Sequence, residues 1–155
     1  MAYEKVKQYF ESVRLGDRVR VLDQSSATVQ MAADAVGCEP KQIAKTLSFI
    51  VDEAPILIVA AGNTKINNQK YKATFSQKST MIPGDQVEDH VGHDPGGVCP
   101  FAIKPGVTVY LDESLRQNTT VYPAAGSANS VVRLSLEELE RHSAYKEWID
   151  VCKIV

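Results

Sequence analysis

The segment "TLSFIVDEAPILIVAA", residues 46–61, decides the fold. It contains two runs of mainly apolar and β-branched residues, 46–51 and 56–61, separated by the polar connection Asp-Glu-Ala-Pro. Runs of this length and composition favour strands, and a short connection between them favours a reversal of the chain. The segment therefore predicts a β-hairpin in the middle of the chain.

The sequence on both sides of the hairpin predicts alternating helices and strands. Ser26 is the predicted N-cap of a helix that Gly37 ends, and residues 38–45 are predicted as a second, short helix. Ser135 and Glu138 have the spacing of a capping box. Further helices are predicted at 2–15, 67–75, 83–91 and 136–142, and further strands at 18–22, 107–111, 119–123 and 130–135. We expect an α+β fold, with a mixed, partly closed β-barrel-like sheet flanked by helices.

Length and composition are those of an ordinary soluble domain. The 155 residues are 44% hydrophobic and 23% charged, and they contain no internal repeat or linker, so we expect a single domain over residues 1–155. No apolar run is long enough for a membrane span, and the first residues lack the apolar core of a signal peptide. Three widely spaced cysteines do not form a disulfide pattern. We expect a cytoplasmic protein.

The acidic and basic residues are unevenly distributed. Residues 54–84 contain no Asp or Glu, but they contain Lys65, Lys70, Lys72 and Lys78. Such a segment is either a solvated lysine face or a local contact for a polyanion.

Two loops rich in small residues are candidates for a binding site. The first, "GHDPGGVCPFAI" at 92–103, contains adjacent glycines, which occur where φ is positive or where another group approaches the backbone closely. The second, "PAAGSANSVV" at 123–132, connects two predicted strands. Each loop alone is compatible with a turn, but together they could form two walls of a cleft.

Three residue types in these regions could carry chemistry. Lys45 lies where a predicted helix meets a buried run, so its ammonium needs water or an anion, unless the side chain snorkels to the surface. Cys99 could be a nucleophile, but Val98 and Pro100 supply no base, and a small apolar pocket wall is the simpler interpretation. His90 and His93 form only an H-x-x-H pattern, so we expect no metal.

Three motifs carry a resemblance to a known family: Lys45-Thr46-Leu47, Gly96 to Phe101, and Ala125-Gly126-Ser127. In this order and spacing the chain resembles the YbaK / prolyl-tRNA-synthetase-associated family of aminoacyl-tRNA deacylases. The resemblance covers about residues 20–150, including "TVQMAADAVGCEPKQIAKTL". It implies a mixed β-barrel with an open cleft, and hydrolysis in trans of the ester of a mischarged tRNA without a cofactor. The family lysine falls on Lys45, and the implied substrate-binding residues are Thr46, Gly96, Gly97, Val98, Cys99, Pro100, Gly126 and Ser127.

The chain departs from some relatives at two places. Thr46 follows the lysine where several relatives carry Asn, and Asn129 and Ser130 occupy a stretch where some carry a histidine. The resemblance implies a small amino acid, such as Cys or Ala, on tRNA-Pro or a similar tRNA. The expected partners are mischarged tRNA and, as a further candidate, an aminoacyl-tRNA synthetase; neither a membrane nor DNA is expected.

An aminoacyl ester is already activated, so a site that positions water and stabilises the oxyanion can suffice. We expect N–H groups of the glycine loop to serve as donors and Lys45 to anchor a phosphate or the terminal ribose, or to steady the transition state. Lys65, Lys70 and Lys72 are the predicted contacts for the acceptor stem. Two alternatives remain open: a non-catalytic tRNA-binding or synthetase-associated module, and a thiol- or metal-dependent enzyme that uses Cys99, His90 and His93.

Overall fold

The computed structural model describes residues 2–155, and the chain forms five α-helices over this range. Four of them lie close to the predicted segments, whereas the first, predicted over 2–15, ends at Ser12, before a short 3₁₀ turn that starts at Gly16. The helices are α1 (Ala2–Ser12), α2 (Val29–Val36), α3 (Asn68–Phe75), α4 (Val87–Val91) and α5 (Leu136–His142).

Over residues 2–155, ten strands form one large sheet and two small ones. The strands are β1 (Val19–Val21), β2 (Ile43–Val51), β3 (Ala54–Ala61), β4 (Thr64–Ile66), β5 (Thr108–Asp112), β6 (Thr120–Pro123), β7 (Ser130–Val132), β8 (Leu134–Ser135), β9 (Glu147–Ile149) and β10 (Cys152–Ile154). The large sheet has the order β8-β6-β2-β3-β5-β9, and β1 pairs with β7 and β4 with β10. The sheet mixes parallel and antiparallel pairs and curls into a half-barrel, which confirms the predicted α+β fold class.

The central hairpin is confirmed, with a shorter turn than its sequence predicts. β2 and β3 are antiparallel from Ala44↔Ala61 to Val51↔Ala54, so only Asp52 and Glu53 form the loop. Both residues have positive φ, 51° and 66°, as a two-residue turn that matches the twist of a hairpin requires. Ala54 and Pro55 therefore belong to β3 rather than to the connection.

Two further local predictions are wrong. The N-cap of α2 is Thr28, whose side chain accepts a hydrogen bond from the Met31 N–H, rather than Ser26. Only residues 40–42 of the predicted helix 38–45 are helical, as one 3₁₀ turn, because Ile43 and Ala44 are already paired with β6 at the start of β2. The Ser135–Glu138 capping box and the left-handed Gly37 at the end of α2 are confirmed.

Apolar side chains cover both faces of the large sheet. Leu57, Val59 and Leu111 point to the interior of the half-barrel, together with Phe10 of α1. On the outer face, Ile58 packs with Phe49 and Tyr71. A third, smaller cluster places α2 over the same outer face: its Ala32 and Ala33 contact Ile43 of β2, with Tyr122 of β6 at the edge. This packing holds the start of α2 beside the junction of β2 and β6.

Across residues 2–155, none of the helices combines the length and apolar character that crossing a bilayer demands.

Candidate functional site

A cleft opens where two parallel strands separate. β2 and β6 pair only at Ile43↔Tyr122 and Ala44↔Pro123; beyond these pairs β2 continues beside β3, whereas β6 ends. A cavity of about 100 Å³ occupies the gap. Its lining residues are Ser26, Ala27, Thr28, Val29, Ala32, Ile43, Ala44, Lys45, Thr46, Pro95, Gly96, Val98, Tyr122, Ala124 and Val131.

The main chain of Thr46 faces this gap. The Gly62 N–H donates to the Ile43 carbonyl on the β3 side of β2, and the Ile82 N–H donates to the Ser48 carbonyl on the opposite side. Because peptide groups alternate between the two edges of a strand, those of even-numbered residues in β2 point away from β3. Thr46 therefore turns its N–H and carbonyl towards the cavity, and within residues 2–155 no strand pairs with it on that side.

The glycine loop contributes two further main-chain donors. Gly96 and Val98 line the cavity, and neither N–H has an intramolecular acceptor within the described residues. The Gly97 N–H, in contrast, donates to the Asp94 carbonyl at 2.9 Å. The loop thus leaves the amides of two cavity-lining residues without an acceptor in the described chain and uses the amide between them to close its own turn.

Gly97 is the point where the two predicted loops touch. Its carbonyl accepts a hydrogen bond from the Gly126 N–H at 3.1 Å, and a Cβ at Gly97 would lie 2.4 Å from the Ser127 nitrogen. Gly126 itself has φ of +91°, which favours glycine. The second loop is in turn bound to the segment before α2, because the Ser26 N–H donates to the Ala128 carbonyl. Close backbone approach therefore fixes all three segments around the cavity.

The start of α2 forms another wall. Thr28 and Val29 line the cavity, and Thr28 caps the helix through the Met31 N–H at 3.2 Å. The free N–H groups of a first helical turn give that end of a helix a partial positive charge. The cavity is thus bordered by main-chain donors from β2, from the glycine loop and from α2.

Lys45 is the charged side chain in the cavity wall. It lies on the outer face of β2, is half-buried, and its Nζ donates to the carbonyl of Thr64 in β4. Burial lowers the pKa of the ammonium below its ordinary value, and the nearby Cys152 thiol acts in the opposite direction. Within residues 2–155 no carboxylate pairs with it. Lys45 therefore lines the cavity with a side chain whose ammonium has no counter-ion within residues 2–155 and rests on Thr64, which is not part of the cavity wall.

The cavity brings together only part of the predicted site. Lys45, Thr46, Gly96 and Val98 line it, as does Thr28. Gly97, Cys99 and Pro100 belong to the glycine loop but are buried and do not line the cavity. Gly126 is buried in the second loop. Ser127 does not line the cavity, and its hydroxyl contacts Asn129 and Ser130.

Cys99 and His93 form a buried pair on the far side of the glycine loop. Cys99 Sγ lies 3.5 Å from His93 Nε2, which also lies 2.7 Å from the Phe101 carbonyl. Burial raises the pKa of Cys99 to about 12 and lowers the pKa of His93, so both groups are held neutral. Within residues 2–155 no group of three or more His, Cys, Asp or Glu is placed to hold a metal ion.

The predicted acceptor-stem lysines have different environments. Lys65 is exposed on β4 and Lys72 is exposed on α3. Lys70 forms an ion pair with Asp150 at 3.0 Å and also contacts the Cys152 carbonyl. One of the three lysines thus has an acidic partner within the chain.

Sequence reasoning missed Tyr122 of β6, whereas Ala124 and Val131 lie in the second loop, which was predicted as a wall of the cleft. The parallel pairing of β6 with β2, which places Tyr122 in the cavity wall, joins residues almost 80 positions apart. No local pattern specifies such a contact.

Residues 23–142 match the family model of the aminoacyl-tRNA editing domain, which covers most of the cavity wall and both loops. The chain belongs to the aminoacyl-tRNA editing domain family. The match confirms the resemblance that the Lys45 motif and the two small-residue loops carry.

Relatives of this editing domain include free-standing proteins and parts of synthetases. The uncharacterized protein YwhH of Bacillus subtilis (strain 168) is 44% identical over 99% of this chain and 98% of that protein. A proline–tRNA ligase of Limosilactobacillus fermentum is 26% identical over 57% of this chain, which corresponds to 17% of the ligase. The editing domain thus resembles a small part of that much longer protein.

Two solved structures share the fold of the editing domain over nearly its whole length. One is a proposed trans-editing enzyme for prolyl-tRNA synthetase, with 25% identity, a TM-score of 0.86, and coverage of 98% of this chain and 97% of that one. The other is the hypothetical protein APE2540, with 24% identity, a TM-score of 0.84, and coverage of 96% and 99%.

Proposed function

We propose that the protein is an aminoacyl-tRNA deacylase that hydrolyses the ester of a mischarged tRNA in trans. The observation that carries the proposal is the cavity between β2 and β6. It combines unpaired main-chain N–H groups of Gly96 and Val98 with the uncompensated ammonium of Lys45, in a chain of the editing-domain family.

The main-chain donors suit the transition state of ester hydrolysis. Water adds to the ester carbonyl and gives up a proton, and the carbonyl oxygen becomes an oxyanion. The bond to the ribose oxygen then breaks, and that oxygen takes up the proton to become a hydroxyl. An oxyanion donor in other hydrolases contributes about 2.7–4 kcal/mol to the barrier reduction. Gly96 and Val98 supply such donors on a loop that the Gly97–Gly126 contact holds in place.

Lys45 is proposed to bind the anionic or ribose end of the substrate. Its ammonium contacts the Thr64 carbonyl, which is a hydrogen-bond acceptor but carries no net charge. A phosphate is a stronger partner for a half-buried cation, because the attraction between opposite charges then adds to the hydrogen bond. We therefore assign Lys45 to anchoring rather than to proton transfer.

The size of the cavity supports a small amino acid as substrate. One water needs about 10–15 Å³ of such space, and pockets that enclose drug-sized ligands have about 300–1,000 Å³. At about 100 Å³, the cavity has room for a small side chain such as that of Ala or Cys, with the adenosine outside its mouth. The similarity to part of a proline–tRNA ligase supports tRNA-Pro as carrier and a synthetase as partner.

The test is a deacylation panel. Wild type and Lys45→Ala are incubated with tRNA-Pro and cognate tRNAs charged with cysteine, alanine, serine, threonine or proline, and the remaining ester is measured over time. We expect one or two small residues on tRNA-Pro to be released fastest, and release to fall in Lys45→Ala. A wild-type protein that binds tRNA but releases none of these esters is a non-catalytic module, and the proposal is then wrong.

A further inference from the structure

A second concave surface adjoins the cavity and is rich in arginine. We call it the arginine groove. It has a volume of about 410 Å³ and is open to solvent. Its lining residues are Arg18, Thr120, Arg133, Leu134, Ser135, Glu137, Glu138 and Arg141.

The arginine groove and the cavity are built on the same two strands. Along β6 and the residue that follows it, Thr120 lines the groove, whereas Tyr122 and Ala124 line the cavity. Along the chain of β7, Val131 lines the cavity and Arg133 lines the groove. Side chains two positions apart lie on the same face of a strand, roughly 7 Å from one another. The groove therefore continues the floor of the cavity along one face of the molecule.

Arg18 and Arg133 lie opposite each other across this floor. The Arg133 N–H donates to the Arg18 carbonyl at 3.1 Å, which extends the antiparallel β1–β7 ladder by one pair beyond Val19↔Val132. Opposite residues of an antiparallel pair project to the same side of the sheet. The two guanidinium groups are thus placed on the same side as the cavity.

The charges within the groove leave one arginine without a partner. Arg18 forms an ion pair with Glu138 at 2.8 Å, and Arg141 forms one with Glu137 at 3.5 Å. The Arg141–Glu137 pair is largely exposed, so it contributes little and either side chain can turn to another partner. Arg133 is exposed, and its guanidinium has no ion pair or hydrogen bond within residues 2–155. With three arginines and two glutamates, the groove keeps a net positive charge.

We propose that the arginine groove binds the phosphate backbone of the tRNA strand whose 3′ end enters the cavity, with Arg133 as the main contact. The proposal rests on the proposed function for the source of that strand. Guanidinium groups bind phosphate oxygens through paired N–H donors, and such contacts position a nucleic acid without reading its sequence. A tRNA strand that leaves the cavity mouth and follows β6 and β7 would reach the arginine groove next.

The test compares Arg133→Gln with Lys146→Gln. Lys146 is exposed, lies next to β9 at the opposite edge of the large sheet from β8, and its replacement removes the same unit of charge. Binding of uncharged tRNA-Pro is measured by fluorescence anisotropy at several salt concentrations. Each lost phosphate contact should reduce the slope of log affinity against log salt by about 0.7–0.9. We expect this reduction, with about three- to tenfold weaker binding at low salt, for Arg133→Gln alone.

A second readout separates the groove from the chemistry. Hydrolysis of an aminoacyl ester of adenosine, which lacks the upstream phosphates, should be unchanged in Arg133→Gln. Arg141→Gln should show a smaller loss of tRNA affinity than Arg133→Gln, since Glu137 already contacts Arg141.

The outcomes distinguish this proposal from the proposed function. If the slope of log tRNA affinity against log salt is equal for wild type, Arg133→Gln and Lys146→Gln, the arginine groove does not bind tRNA. This conclusion holds even if the wild type deacylates tRNA. Wild type that hydrolyses the adenosine ester but binds no tRNA also overturns the groove proposal. Wild type that binds tRNA through Arg133 but hydrolyses no ester supports the groove and overturns the deacylase.

Discussion

The two sides of the glycine loop differ in what they offer to chemistry. On one side, Gly96 and Val98 border the cavity with N–H groups that have no acceptor in the described chain. On the other side, Cys99 and His93 are fully buried against Phe101. The side chains that look reactive in the sequence are therefore held neutral and away from solvent, whereas the groups that face the cavity belong to the main chain.

Under the proposed deacylase function, this difference explains how the site could work without a catalytic triad. An activated ester requires a place for the developing oxyanion and a fixed position for the substrate. The exposed side of the loop is proposed to supply the first, and Lys45, which also lines the cavity, is proposed to supply the second. On the buried side, Gly97 contacts the second loop and so holds the glycine loop in position.

The largest expected effect is on the cavity side. Lys45→Ala should reduce the deacylation rate about 100-fold, equivalent to about 2.7 kcal/mol, because it removes a charge-assisted contact with the substrate. The rate is measured by single-turnover release of the amino acid, with thermal unfolding as the control for folding. A rate within twofold of wild type would contradict the assignment of Lys45.

The second-largest effect is expected on the stability of the fold, at the buried side of the glycine loop. Gly97→Ala should lower the free energy of unfolding by about 1–3 kcal/mol, because its Cβ would lie 2.4 Å from the backbone nitrogen of Ser127. Gly96→Ala is the matched control: its Cβ would meet the Ala128 Cβ at 3.1 Å, where a small shift suffices. Urea unfolding measures both variants. If Gly96→Ala proves the more destabilised, the two sides of the loop have been assigned in reverse.

The pH dependence of deacylation tests whether Lys45 anchors the substrate or acts as a general base. Burial lowers the pKa of this ammonium, so its charge is lost at a lower pH than that of an exposed lysine. If the cation anchors the substrate, the enzymatic rate should fall as the pH rises through that lowered pKa, after correction for uncatalysed hydrolysis. Lys45→Arg keeps its charge at these pH values and should lose this decline. A rate that instead rises as Lys45 deprotonates indicates a general base.

The smallest effect is expected at Cys99. Cys99→Ala should leave the deacylation rate within about twofold of wild type, because the thiol does not reach the cavity and its pKa is raised to about 12. In the native protein, a thiol reagent should label the partly exposed Cys38 before Cys99 or Cys152. Loss of activity in a folded Cys99→Ala protein would support the alternative of a thiol-dependent enzyme.

Local features of the chain could be predicted wherever neighbouring residues determine them. The apolar runs around Asp52 and Glu53 specify a hairpin, and the Ser135–Glu138 spacing specifies a helix start. The same reasoning failed at residues 43–45, because the pattern of the preceding residues favours a helix while pairing with β6 holds Ile43 and Ala44 in a strand. The order of the lysine and loop motifs was sufficient to indicate the family.

By itself, therefore, the sequence determined the mixed fold class, the hairpin and the family. The tertiary structure alone decided that β2 and β6 part after two residue pairs, that Gly97 faces the second loop while Gly96 and Val98 face the cavity, and that the Lys45 ammonium rests on the Thr64 carbonyl. Turns, caps and apolar periodicity depend on residues a few positions apart. A cavity depends on where distant segments pack against each other, and that packing is decided by the whole core.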